Sequence, residues 1–256
     1  MKNNNSKHGN RLTNRRLLTA VAIVALVCFL AITLTRPYFD GVNSAVNLWA
    51  TGIQTPGLTE AANLLSTAFD TKILIALSLP LVGLLLYKGY TEKAGLLVGA
   101  MGADALLLQG AKTLIVSPRP LNGLIAETDF SFPSGHVTST IVFVGMLSYL
   151  VWENRKTISK LCIAAVGPAL VAIVAFDRLY LNVHWLSDVL AAPFLGLFII
   201  AATILIVRRL FRWYNKRQNQ TQTAPTKGIT NPKGPTLYGR AITNTPQTNT
   251  GVTADA

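Results

Sequence analysis

The chain has 256 residues, half of them hydrophobic and only 13% charged, with a mean hydropathy of +0.40. That composition excludes an ordinary soluble domain and marks an integral membrane protein, with room for about six helices at ~20 residues per span. The formal net charge of +12 does not point to nucleic acid. The cations sit in short clusters beside apolar runs, and no aromatic–basic interleaving occurs on a soluble domain.

In chain order, Lys2, Lys7, Arg11, Arg15 and Arg16 form a basic N-terminus over 1–16, followed by an apolar run from Leu17 to Thr35. The run is as long as a true span and no small-x-small site clearly follows it, so an uncleaved first transmembrane helix is expected rather than a signal peptide. Arg36 to Thr71 is moderately polar and carries Tyr38, Phe39, Trp49 and Phe69, while Val42, Ala45, Val46 and Trp49 recur at helical spacing. This pattern predicts amphipathic helix at the membrane interface, packed on the bundle and broken at Thr55-Pro56-Gly57. Further apolar stretches cover about 72–88, 94–115, 136–152, 158–177 and 185–207. Pro80 and Pro168 fall inside them as kinks. Cys28 and Cys162 lie in apolar runs without metal-ligand spacing and read as small buried hydrophobes. From Gln218 to Ala256 large apolar residues nearly vanish, so a disordered tail is expected over 218–256.

The expectation is therefore an all-α polytopic membrane protein. Its membrane domain, 17–212, is a six-transmembrane-helix bundle with an interfacial helical segment between the first two spans. With six alternating spans, the N-terminal cluster, Lys88 with Lys93, Arg155-Lys156-Lys160, and Arg208-Arg209-Arg212-Lys216-Arg217 share one side. The positive-inside rule makes that side cytoplasmic and puts both termini there.

Three segments carry chemistry, and the same count puts all of them at the opposite, extracytoplasmic face. In the first, Lys112 precedes Arg119-Pro120 by seven positions: a point charge and a planar fork suited to a tetrahedral dianion. Pro118 and Pro120 stiffen the backbone around Arg119. The second, Phe132-Pro133-Ser134-Gly135-His136, opens a helix. Its N–H groups, the Ser134 hydroxyl and the open backbone at Gly135 favour an anion, and His136 titrates near neutrality and can protonate an alkoxide. The third joins Arg178 to His184 and Asp188. A carboxylate four positions after a histidine on one helix face can fix its tautomer and leave the other nitrogen free to attack phosphorus. Snorkelling cations, a cap or a structural His–Asp pair would explain each segment singly but not all three. Asp104 and Gln109, inside the third span, suggest interhelical hydrogen bonding.

In order and spacing the segments resemble the type 2 phosphatidic acid phosphatase superfamily, over about residues 36–207. The resemblance implies an integral membrane phosphatase acting on lipid phosphates without a cofactor or metal. His184 would be the nucleophile that forms a phosphohistidine, Asp188 its orienting partner and His136 the general acid. Lys112, Arg119, Ser134, Gly135 and Arg178 would hold the phosphoryl oxygens. Its substrates would be lipid phosphomonoesters or diphosphates, such as undecaprenyl diphosphate, phosphatidylglycerol phosphate or phosphatidic acid, whose tails stay among membrane lipids; the oligomeric state is left open. One departure stands out. The family usually has a small hydroxyl residue before the arginine of the third segment, whereas this chain has Asp177, which favours a catalytically impaired lipid-phosphate binding or transport protein as the alternative.

Overall fold

The computed structural model describes residues 3–152 and 157–222, and among them all regular structure is helical. The elements are α1 (Asn3–Thr35), a 3-10 turn (Arg36–Phe39), α2 (Asp40–Gly52), α3 (Pro56–Ala68), α4 (Thr71–Tyr87), α5 (Thr91–Ile115), α6 (Gly135–Trp152), α7 (Thr157–Tyr180) and α8 (Leu186–Gln222). The chain divides into two compact units at Lys216 and Arg217; the bundle and its site lie in the first. Helix α1 runs back through the basic stretch to Asn3, and α8 continues into the stretch that composition marks as tail. Residues 223–256, like Arg155 and Lys156, lie outside the described residues.

Local signals set most of the boundaries. Pro56 occupies the first turn of α3, where its missing N–H costs nothing. Asp70 caps α4 by accepting the Lys72 N–H at 2.8 Å. Gly89, at φ +75, closes α4: its N–H reaches Leu86 O at 2.9 Å while that of Tyr90 reaches Leu85 O at 2.8 Å. That double bond is a Schellman ending, which favours glycine.

Among the described residues five helical segments are long and apolar enough to cross a membrane, or six if α3 and α4, bent by 47°, count as one broken span. Helix α4 alone has 17 residues, whereas the first apolar segment runs from Arg15 to Gly52 through α1, the 3-10 turn and α2. Helices α2 and α3 pack against α7. The packed face of α2 differs from the expected apolar stripe: Asn43 and Ala50 are buried, whereas Val42 and Trp49 point outward. The reason is polar. Asn43 donates to Ser187 Oγ at 3.2 Å and accepts the Ser187 N–H at 3.0 Å, holding the start of α8. Cys162 is exposed and Cys28 only half-buried, contrary to their expected burial. Helix α7 buries side chains only near its end, from Val174 to Tyr180.

The core gathers Leu97, Ala100 and Met101 of α5, Val142 and Met146 of α6, and Leu195 and Ile199 of α8. Close approach of α6 and α8 leaves little room beyond glycine at two places, most strictly at Gly196, where a Cβ would also stand 3.0 Å from Ile141 Cβ. A Cβ on Gly145 would stand 2.7 Å from Ile200, and one on Gly196 would stand 2.7 Å from Ile141. At one end of the bundle Arg208 pairs with Glu92 at 3.6 Å, and Lys93 donates to Leu150 O at 3.3 Å. Lys112 lies roughly 30 Å further along α5, at about 1.5 Å per residue. Lys93 and Arg208 thus lie at the opposite end of the bundle from Lys112.

Candidate active site

His184 lies in the turn between α7 and α8, one residue before the helix N-cap, so it meets Asp188 across the α8 terminus and not along a helix face. Asp188 closes a capping box there: its Oδ2 accepts the Trp185 N–H at 2.9 Å, and its own N–H reaches Trp185 O at 3.1 Å. The same oxygen accepts the Ser131 hydroxyl and faces His184 Nδ1 at 3.4 Å. The other ring nitrogen, Nε2, lies 3.2 Å from Arg119 Nη1. A guanidinium has only donors, so Nε2 must be the acceptor and the proton sits on Nδ1, toward Asp188. The lone pair a nucleophile needs is therefore on the Arg119 side. Burial drives the His184 pKa down to about 4; the Asp188 hydrogen bond opposes this, and Arg119 and Lys112 add to the fall. The imidazole is neutral at neutral pH. A side-chain ¹⁵N titration should find His184 uncharged from pH 8 to below pH 5, charging only near pH 4; a midpoint above 6 would contradict this environment.

The first and second segments reach the same place. The Ser134 N–H donates to Asp188 O at 3.3 Å. Arg119 also donates to Val183 O at 2.7 Å and Asp129 O at 2.9 Å. Lys112 Nζ donates to Phe130 O at 2.7 Å and Asp129 Oδ2 at 2.6 Å. A Cβ on Gly135 would meet Thr71 Oγ1 at 3.5 Å and Lys112 Cε at 4.0 Å, ordinary contact distances. Its bare backbone therefore leaves a gap beside Lys112 and does not relieve a clash. A cavity of about 430 Å³ opens at Arg119, lined by Glu127, Asp129, Phe130 and Val183. Among the buried side-chain atoms of the described residues without a hydrogen-bond partner are four at this site: Ser134 Oγ, Arg178 Nη1, Asp177 Oδ1 and Asp188 Oδ1. Among the described residues no three His, Cys, Asp or Glu are grouped as around a metal ion.

Each cation faces a carboxylate. Asp129 pairs with Lys112 and Arg119, and Glu127 stands 3.8 Å from Arg119 and 3.7 Å from Arg178. Burial pushes the Asp129 carboxyl upward, but the Lys112 and Arg119 contacts more than offset it and hold it below the usual carboxylate range. Asp177 takes both Nε and Nη2 of Arg178 on one oxygen, Nε at 2.9 Å. It thereby fixes the guanidinium and leaves Nη1 open. Asp177 and Arg178 are 2% and 0% exposed, so Asp177→Ala should destabilise by about 3 kcal/mol, the cost of leaving a buried charge without its partner. Thermal unfolding in detergent measures it; an unchanged midpoint would contradict the pairing.

His136, at the start of α6, directs Nε2 to Ser66 O at 3.2 Å, and Asp70 Oδ2 stands 3.8 Å from the same nitrogen. A carbonyl only accepts, so this nitrogen carries a proton. Asp104, fully buried in α5, accepts from Ser139 Oγ at 2.6 Å, and Ser139 meets Thr71 at 2.9 Å, the interhelical bonding expected of it. The turn carrying His184 is pinned from α2 and α3: Gln54 donates to Tyr180 O at 2.8 Å, Asn182 to Thr51 at 2.8 Å, and Thr59 meets the Tyr180 hydroxyl at 3.0 Å. Motif reading leaves out Ser131, Glu127, Asp129, Asp70 and Asn43. One sequence signal was available for two of them: Glu127 and Asp129, from a total of only 11 acids, fall between two basic motif segments.

Residues 93–212 match the family model of the PAP2 superfamily. The chain is similar to phosphatidylglycerophosphatase B of Bacillus subtilis, 27% identical over 180 residues, which cover 68% of this chain and 89% of that protein. It is also similar to an undecaprenyl-diphosphatase of Sulfolobus acidocaldarius, 30% identical over 136 residues, covering 50% and 62%. Its fold is like the crystal structure of a transmembrane PAP2 type phosphatidylglycerolphosphate phosphatase from Bacillus subtilis, with a TM-score of 0.66 and 22% identity, over 77% of this chain and 96% of that one. By sequence and by fold the chain is similar to members of the PAP2 superfamily, the match to the family model spanning residues 93–212.

Proposed function

We propose that the protein is a membrane phosphatase that hydrolyses a lipid phosphomonoester or diphosphate at the extracytoplasmic face through a phosphohistidine. The observation that carries this reading is the His184 lone pair, directed toward Arg119 while Lys112 and Arg178 share counter-ions with that arginine. Nucleophile and oxyanion donors then surround one site, the arrangement phosphoryl transfer needs.

In the first step the Nε2 lone pair of His184 attacks phosphorus and the bond to the leaving oxygen breaks. That oxygen takes a proton from the imidazolium form of His136, which becomes neutral imidazole. Arg119, Lys112, the Ser134 hydroxyl and Arg178 Nη1 stabilise the three equatorial oxygens, and Asp188 balances the charge that grows on the imidazole. In the second step water attacks the phosphohistidine and gives a proton to His136. The P–N bond breaks as the new P–O bond forms, its electron pair returns to His184 Nε2, and orthophosphate leaves.

Six spans follow if the bent pair α3 and α4 crosses as one broken helix. The basic ends then face the cytoplasm with both termini, and α2 lies near the outer interface. A pocket at the helix ends lets the lipid tail stay in the bilayer while the head group enters. Phosphate release from undecaprenyl diphosphate, phosphatidylglycerol phosphate and phosphatidic acid, in detergent with a chelator and with products separated by thin-layer chromatography, tests the reading. Release from at least one is expected. Saturable binding with no release from any would favour a binding or transport role instead.

A further inference from the structure

We infer that Glu127 and Asp129 are specificity-determining residues: their carboxylates occupy the phosphoryl subsite until displaced, and only a terminal phosphoryl group carries enough charge to replace them. The inference rests on the reading of this site as a phosphate pocket. Asp129 spends one oxygen on Lys112 and the other on Arg119. Glu127 places one oxygen 3.8 Å from Arg119 and the other 3.7 Å from Arg178. Two carboxylates thus bridge three cations in series, as the oxygens of a single phosphoryl group would.

Both acids sit on the loop between α5 and α6 and not on a helix. Their side chains are 46% and 23% exposed for Asp129 and Glu127, so each has water to retreat into. Asp177, at 2% exposure, has none and stays with Arg178. Displacing the loop acids removes two negative charges from the cations. A terminal phosphoryl group near neutral pH carries about −1.5 to −2 and restores the balance. A phosphodiester carries a single charge and leaves a buried cation short of a partner, which is unfavourable. The outer leaflet of a membrane is crowded with phosphodiester head groups, and the loop acids would keep them from occupying the cations without being cut.

The test uses the full chain in detergent, as wild type, Asp129→Asn, Glu127→Gln and the double variant. Inhibition of phosphatidic acid hydrolysis by phosphatidylglycerol, a phosphodiester, is measured beside the thermal shift caused by inorganic phosphate. The double variant should be inhibited by phosphatidylglycerol at about tenfold lower concentration, the scale of a close charge pair, and should show a larger phosphate shift than wild type. Unchanged inhibition and an unchanged phosphate shift, with wild-type turnover intact, would overturn the inference and leave the phosphatase reading standing. A larger phosphate shift in variants of a wild type that releases phosphate from none of the three lipids would support the displaceable acids and sink the phosphatase reading. If Asp129→Asn fails to fold, Glu127→Gln alone is read the same way.

Discussion

His184→Ala should lower kcat by on the order of 10⁵-fold, because losing a nucleophile removes the covalent route and not merely a contact. The fold should survive. His184 lies in a turn, and its neighbours keep other anchors: Arg119 still donates to Val183 O at 2.7 Å, and Asp188 still accepts the Trp185 N–H at 2.9 Å. Phosphate affinity should fall little, since the binding donors are on other residues. Steady-state release of phosphate beside equilibrium binding of orthophosphate separates the two effects. Wild-type turnover in the variant would refute the nucleophile assignment.

Asp188→Asn is the second large effect, at about 10⁴-fold in kcat, the scale found when a histidine's orienting carboxylate becomes an amide. That factor corresponds to about 5.5 kcal/mol of barrier. Asp188 Oδ2 receives the Trp185 N–H, the Ser131 hydroxyl and His184 Nδ1. An asparagine turned to keep its oxygen there preserves the cap but loses the charge that balances the imidazolium. Turned the other way, its NH₂ confronts three donors and drives the His184 proton to Nε2, destroying the lone pair. Thermal unfolding should change far less than kcat. A kcat loss matched by unfolding would mean that Asp188 serves only as a helix cap.

The motif residues were legible because their chemistry is scarce in an apolar chain: Lys112, Arg119, Ser134, His136, Arg178, His184 and Asp188 stand out at span ends. The structure brings them to one end of the bundle, with contacts from His184 to Arg119 and from Ser134 to Asp188. The helical class and most span positions were equally readable, since a run of apolar residues has few other outcomes. Counter-ions were not. Glu127 and Asp129 lie in a loop without periodicity, so nothing local aims them at cations 8 to 51 positions away, a span that runs from Arg119 to Arg178. The buried face of α2 was misjudged for a related reason. Asn43 is turned inward by one hydrogen-bond pair with Ser187, 144 residues away, and that outweighs the apolar stripe on which periodicity relies. That Asp177 could pair with Arg178 was readable from their adjacency; that it takes Nε and Nη2 on one oxygen and leaves Nη1 was not, because that geometry depends on burial.

The most direct test is acid-sensitive trapping. Enzyme mixed with ³²P-labelled phosphatidic acid and quenched in base within milliseconds should carry label that is stable to alkali and lost in acid, mapped by peptide mass spectrometry to His184. Label on Ser134, or full turnover with no protein-bound phosphoryl group at any time, would contradict a histidine that takes the phosphate itself.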